Sequence, residues 1–201
     1  MGYSSKSPWL IHYDGSSCNG CDIEVLDSMM PRYDIERFGI INTGNPKHAD
    51  IFLVTGSVNA QNIEVVRHIY EQMLEPNVVV ACGICACTGG VFRDCYNIIG
   101  GVDKAIPVDV YAPGCAVRPE TIIDAVLQAV EILDEKAARL AAGESPEALH
   151  PPLPAYAFAG DGDAAAGACG ACGAAGAGAG AAAGLGTADA AGAATHEKKE
   201  A

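Results

Sequence analysis

Three short runs hold the residues able to do chemistry: Cys18-Asn19-Gly20-Cys21, Cys82-Gly83-Ile84-Cys85-Ala86-Cys87 and Pro113-Gly114-Cys115. Thiolates are soft donors that suit zinc and iron–sulfur clusters. Zinc is one reading, because Cys18-x-x-Cys21 and Cys82-x-x-Cys85 form two pairs. They lie about 60 residues apart, however, against roughly 15–20 in a zinc-site pattern. A redox dithiol is a second reading, since C-x-x-C between a strand and a helix start is the context that lowers a thiol pKa. It leaves two of the three runs without a role. An iron–sulfur cluster takes four cysteine thiolates, here Cys18, Cys21, one of Cys82, Cys85 and Cys87, and Cys115. That reading uses all three runs, and spacing alone leaves the middle ligand open.

The elements that must position these cysteines are strands. Trp9–Tyr13, Ile51–Thr55, Asn77–Ala81 and Pro107–Tyr111 are short β-branched and aromatic stretches bounded by Gly, Pro, Asn or Asp, which is the strand signal. Between and after them, Ile63, Val66, Ile69, Tyr70, Met73 and Leu74, then Ile122, Val126, Val130 and Leu133, recur with helical period. Strands alternating with helices predict a doubly wound, mostly parallel sheet of about five strands. Ligands of such sheets sit beyond the carboxyl ends of the strands. All three cysteine runs fall there.

The chain has 201 residues, and beyond about Ala159 it is Ala and Gly with scattered Asp. Such a tract lacks the large side chains that bury surface, so the sequence predicts an α/β domain over 1–142, a Pro-rich linker over 143–159 and a disordered tail over 160–201. Cys169 and Cys172 lie in that tail, with no further ligands near them in sequence. The net charge of −13, with 12 Lys and Arg, argues against a nucleic-acid face. The N-terminal run Met1–Pro8 lacks the apolar core of a signal peptide. No long apolar run reads as a membrane span, so a cytoplasmic location is expected. In that reducing compartment, nine cysteines are better read as ligands or buried thiols than as disulfides.

The run Gly15-Ser16-Ser17-Cys18-Asn19-Gly20-Cys21-Asp22-Ile23-Glu24, with Tyr33–Ile40 and Gly44–Ile51, closely resembles the small subunit of membrane-bound, energy-converting [NiFe] hydrogenases. Downstream, Ala81–Phe92 and Ile106–Glu120 are shared with the related B subunit of NADH:quinone oxidoreductase. The resemblance spans roughly residues 8–135. It implies a flavodoxin-like domain that holds one [4Fe-4S] cluster near the nickel–iron site of a separate large subunit. The quinone-oxidoreductase relative carries two adjacent cysteines where this chain has C-N-G-C, the hydrogenase arrangement. Periplasmic uptake hydrogenases add a twin-arginine signal and a second cysteine-rich domain, neither of which is expected here.

Position by position, the resemblance makes Cys18, Cys21, Cys85 and Cys115 the cluster ligands. Only the resemblance selects Cys85 over Cys82 and Cys87, which are read with Cys95 as small buried apolar residues. Glycines 15, 20, 83, 89, 90 and 114 are expected to take positive φ and bring backbone amides close to the cluster. Glu24 is a candidate for proton transfer toward the large subunit, set against a plain helix-dipole role. Asp22 reads as a first-turn acid. Arg118 reads as a contact to the cluster or a partner, or as an ion pair with Glu120. His12, His48 and His68 show no ligand spacing and are read as surface or packing residues. The expected partners are the [NiFe] large subunit, ferredoxin or a ferredoxin-like subunit, and membrane-anchor subunits. The complex would sit on the inner face of the cell membrane. A quinone-oxidoreductase subunit and a dithiol oxidoreductase are the alternatives.

Overall fold

The computed structural model describes residues 7–149 and 153. Along β3 (Ile51–Thr55) and β5 (Val78–Cys82) every side chain is buried, the pattern of strands covered on both faces. Alternate residues supply two cores. Ile51, Leu53, Val78, Val80 and Cys82 pack on one side of the sheet, and Phe52, Val54, Val79 and Ala81 on the other.

Five strands form the sheet: β1 (Trp9–Asp14), β2 (Ile41–Asn42), β3, β5 and β7 (Val110–Ala112), in the order β2-β1-β3-β5-β7 with parallel pairing throughout. In order of appearance this is 2-1-3-4-5, the flavodoxin-like arrangement. Helices α1 (Gly20–Met29) and α4 (Pro119–Ala141) cover one face, through Val25, Ile122, Val126 and Leu133. Helices α2 (Ile63–Gln72) and α3 (Ile84–Thr88) cover the other, through Ile63, Val66 and Ala86. Pro119 opens α4 at its first turn, where its missing N–H costs nothing. Gly143, at φ 91°, follows the helix end in the left-handed position that glycine favours.

The strand bounds differ from the sequence reading at two places. The strand expected over Asn77–Ala81 runs one residue later and so takes in Cys82. The one expected over Pro107–Tyr111 begins only at Val110, because Pro107 has no N–H to give the ladder. Two features had no sequence signal of strand length: β2, and an antiparallel pair of β4 (Val58–Asn59) with β6 (Ile98–Gly100). Leu74 lies past the end of α2 and is exposed. Beyond α4, a short helix α5 (Pro146–Leu149) brings Leu149 into a buried position, and Leu153 packs on the Phe52 side of the sheet. The expected tail over 160–201, with Cys169 and Cys172, lies outside the described residues. No helix among the described residues is long and apolar enough to cross a membrane.

Candidate metal centre at the strand ends

The first cysteine loop leaves β1 under tight control. Asp14 accepts the amides of Ser17 at 2.9 Å and Ser16 at 3.3 Å, and the Ser17 hydroxyl accepts the Asn19 amide at 2.9 Å. These are local side-chain bonds that replace a strand or helix ladder. Asn19 then turns left-handed at φ 64° and α1 starts, with Cys21 in its first turn. Gly56 presses on this loop from the end of β3: at φ +77°, a Cβ there would stand 2.7 Å from the Ser17 nitrogen.

The other two loops leave the sheet together. Gly83 donates its N–H to the Ala112 carbonyl at 2.8 Å, and Ile84 donates to Gly114 at 2.9 Å. Gly83, at φ +92°, lies against Cys21, whose sulfur would be 2.6 Å from a Cβ at that position. Gly90, at φ +55°, backs onto the Cys85 sulfur in the same way at 3.2 Å. A Cβ on Gly20 would meet Cys18 Sγ at 3.5 Å and Ala116 Cβ at 3.4 Å, which puts the first loop beside the third. Of the glycines expected at positive φ, 83, 89 and 90 have it. Gly15, Gly20 and Gly114 do not. They serve by close approach instead: a side chain on Gly15 would stand 3.0 Å from the Thr55 carbonyl, and one on Gly114 would stand 2.9 Å from Val117 Cα.

Burial raises the pKa of Cys85, and the charges of Cys115, Cys18 and Cys21 raise it further. Cys21 is raised first by burial, then lowered by the Val117 backbone N–H that bonds its sulfur, then raised by Asp22, Cys18 and Cys115. The charges of Cys18 and Cys115 thus reach both Cys21 and Cys85. Burial makes Cys21 and Cys85 harder to ionise alone, and a bound cation favours the thiolate. Cys82 and Cys87 both feel Cys21, but each is otherwise engaged. Cys82 is fully buried and its pKa is raised by burial, then by Cys21, Cys87 and Asp22, with neither Cys18 nor Cys115 contributing. Cys87 donates its thiol to the Ala81 carbonyl at 3.6 Å, and burial pushes it up to about 11. Cys95, expected in the core, is exposed, because the stretch after Gly90–Phe92 runs over the surface without a strand or long helix to bury it. It shares a cavity of ≈ 330 Å3 with Cys18, Ser17 and Phe92.

The donor set fits an iron–sulfur cluster. Four thiols come from three loops, glycines leave room against two of the sulfurs, and one of those two, Cys21, already receives a backbone amide. Among the described residues no three His, Cys, Asp or Glu side chains stand close enough to hold a single metal ion. A cubane asks for wider spacing, because each thiolate binds its own iron.

Glu24 is half-buried on α1, in the turn after Gly20 and Cys21. Asp22 is a first-turn acid, as expected, but it is also bonded to His12 at 3.1 Å. His12 is thus no ordinary surface residue. Its partner ten residues away gives no periodic signal in the sequence. His48 stacks near Trp9, with ring centres 5.7 Å apart, and His68 is exposed. Arg118 stands at the N-cap of α4 and is exposed, while Glu120 accepts the Tyr33 hydroxyl at 3.3 Å in place of the expected ion pair.

The chain is a flavodoxin-like domain with cysteines on three loops at the strand ends. The chain belongs to the family of the NADH ubiquinone oxidoreductase 20 Kd subunit, whose model matches residues 18–129. Its members are subunits of oxidoreductases. The chain is 46% identical over 144 residues to the probable membrane-bound hydrogenase subunit mbhJ of Pyrococcus furiosus, covering 72% of this chain and 84% of that one. It is 42% identical over 136 residues to the NADH-quinone oxidoreductase B subunit of Flavobacterium johnsoniae, covering 67% and 72%. Among solved structures, a chain of the membrane-bound sulfane sulfur reductase, an archaeal respiratory membrane complex, superimposes with a TM-score of 0.59 at 39% identity. That match covers 67% of this chain and 75% of the other.

Proposed function

We propose that this chain is the electron-transfer small subunit of a multisubunit [NiFe] hydrogenase, with one [4Fe-4S] cluster held by Cys18, Cys21, Cys85 and Cys115. The observation that carries this reading is geometric: the loops of Cys18, Cys21, Cys85 and Cys115 meet beyond the strand ends, with Gly83 against Cys21 and Ile84 bonded to Gly114, while Cys82 is buried as the last residue of β5. The C-N-G-C spacing and the likeness to the Pyrococcus hydrogenase subunit favour hydrogenase over the quinone branch. When bound, the cluster supplies one-electron storage between the nickel–iron site of a large subunit and ferredoxin or a ferredoxin-like subunit.

The chain's own residues supply the setting. Cys18 and Cys115 are exposed at the strand ends, so the cluster lies at the surface where a partner seats. Ile23, Leu26 and Met30 form an exposed apolar row along α1, and Val91 and Phe92 add to the exposed apolar surface near Cys85. Covering such surface by a partner subunit excludes water from the cluster, which shifts its potential. Glu24, half-buried on α1, is the residue we assign to proton transfer toward that partner. Membrane attachment comes through anchor subunits, with this chain peripheral on the inner face.

Anaerobic purification of the complex tests the reading. About four iron and four sulfide per copy of this chain are expected, with nickel on the co-purifying large subunit and hydrogen evolution from a reduced ferredoxin. A complex that holds the iron but no nickel would place the chain on the quinone branch. Stoichiometric zinc would end both readings.

A further inference from the structure

Next to the proposed ligands lies a polar group with no part in holding the cluster. Asp22 follows Cys21 directly, and its two oxygens take three donors. Oδ1 stands 3.1 Å from His12 Nε2 and also accepts the Thr55 hydroxyl, while Oδ2 accepts the Ser17 hydroxyl. Nε2 is also 3.1 Å from Thr55 Oγ1. A carboxylate has no proton to give, and the Thr55 proton goes to Asp22, so the hydrogen between His12 and Asp22 belongs to Nε2. The side chains of His12 and Asp22 are 18% and 13% exposed. In so dry a place these bonds and the carboxylate's charge act with little screening.

Two consequences follow from the position. Mechanically, Asp22 grips Ser17 from α1 while Asp14 grips the Ser16 and Ser17 amides from β1. The loop that carries Cys18 is thus pinned from both ends. Electrostatically, the Asp22 carboxylate stands on the residue next to Cys21, in the first turn of the same helix. A negative charge so close to a ligand opposes adding an electron to a cluster held there. The imidazole and the two hydroxyls offset that charge.

We propose that Asp22 and His12 are positioning residues for the Cys18–Cys21 loop and set the potential of its cluster in opposite directions, the carboxylate lowering it and the His12 N–H restoring it. The potential-setting half rests on the proposed cluster; the positioning half does not.

The test uses the full-length chain in two forms. In the iron-loaded protein, at matched iron content, Asp22→Asn removes the charge but keeps an acceptor, and the midpoint potential should move positive. His12→Ala removes the donor, and the potential should move negative. His12→Gln returns an N–H and should bring the potential back toward the parent value. Shifts of the same sign, or none, would overturn the electrostatic half, since a merely structural role has no reason to give opposite signs. In the iron-free protein, Asp22→Ala should speed both hydrogen exchange at the Ser17 and Asn19 amides and alkylation of Cys18 severalfold. Unchanged rates would overturn the positioning half. A parent chain that takes up no iron would sink the cluster reading and the potential-setting half with it, while the iron-free rates still decide positioning.

Discussion

Ile84 donates its backbone N–H to the carbonyl of Gly114 at 2.9 Å, and this bond locks the turn before Cys85 to the turn before Cys115. The Gly83 to Ala112 bond one residue earlier, at 2.8 Å, extends the β5–β7 pairing past the strand ends. Two cysteines about thirty residues apart are thereby fixed relative to each other by main chain alone. Side-chain changes at most neighbouring positions should leave that frame intact. Glycine positions are different.

Gly83→Ala is the sharpest test of the frame. At φ +92° and ψ 156° a Cβ is strained, by about 1–3 kcal/mol, and it would lie 2.6 Å from the Cys21 sulfur. Iron per chain should fall and the thermal midpoint should drop. An alanine variant that loads iron normally would show that the loop can yield to a methyl group without disturbing Cys21.

Serine at Cys18, Cys21, Cys85 or Cys115 should abolish or damage the cluster. Serine at Cys82, Cys87 or Cys95 should leave its spectrum largely unchanged, because Cys82 is buried, Cys87 gives its thiol to Ala81 and Cys95 is outside the set whose fields meet at Cys85. Loss of iron in Cys87→Ser with retention in Cys85→Ser would move the middle ligand by two residues.

Most of the frame was legible in the sequence because its signals are local. β3 and β5 read as unbroken apolar runs, α4 as a long periodic helix with Pro119 at its start, and the cysteines as loop residues after strands. Where Cys82 and Cys85 fall was not legible from spacing, since it depends on which side of the end of β5 each sulfur lies. Cys82 is the last residue of that strand and packs in the core with Val80. The His12–Asp22 bond was hidden for a related reason. It joins a strand to the helix that follows it, and neither residue type nor interval marks such a meeting. β2 is two residues long, and its place in the sheet rests on pairing with β1 rather than on any pattern of its own.

Asp50 offers a pH test well away from the cysteines in sequence. Burial raises its pKa above the ordinary 3.8, although the Trp9 amide bound to Oδ2 at 2.9 Å pulls the other way. A raised folded pKa means that the native state holds the proton more tightly. Its contribution to stability is full below about 3.8 and is lost as pH rises through the folded value. At neutral pH the ionised carboxylate is a burden. Asp50→Asn keeps an acceptor for Trp9 and should melt higher than the parent at pH 7, with the gap closing as pH falls toward 4. A lower melting point at pH 7 would mean that the charge-assisted bond outweighs the burial.

At the same end of the sheet as Asp50, Lys136 and Asp109 form an ion pair at 2.8 Å, with side chains 8% and 21% exposed. Lys136 also donates to the Asn77 carbonyl at 3.0 Å, and Asp109 accepts the Val79 amide at 3.0 Å, so the pair clips α4 to the start of β5. Removing one member leaves the other charged and dry, so Lys136→Met should cost about 3–5 kcal/mol in urea unfolding. Adding Asp109→Asn removes the stranded charge and keeps an acceptor for Val79. It should recover much of the loss, though not all, because the Asn77 carbonyl stays without its donor and Asn77 Oδ1 is already buried without a partner. Iron content should be the same in the parent and both variants, since both residues lie at the end of the sheet away from the cysteine loops. A double variant no more stable than Lys136→Met alone would show that the clip works by the Asn77 bond and not by charge.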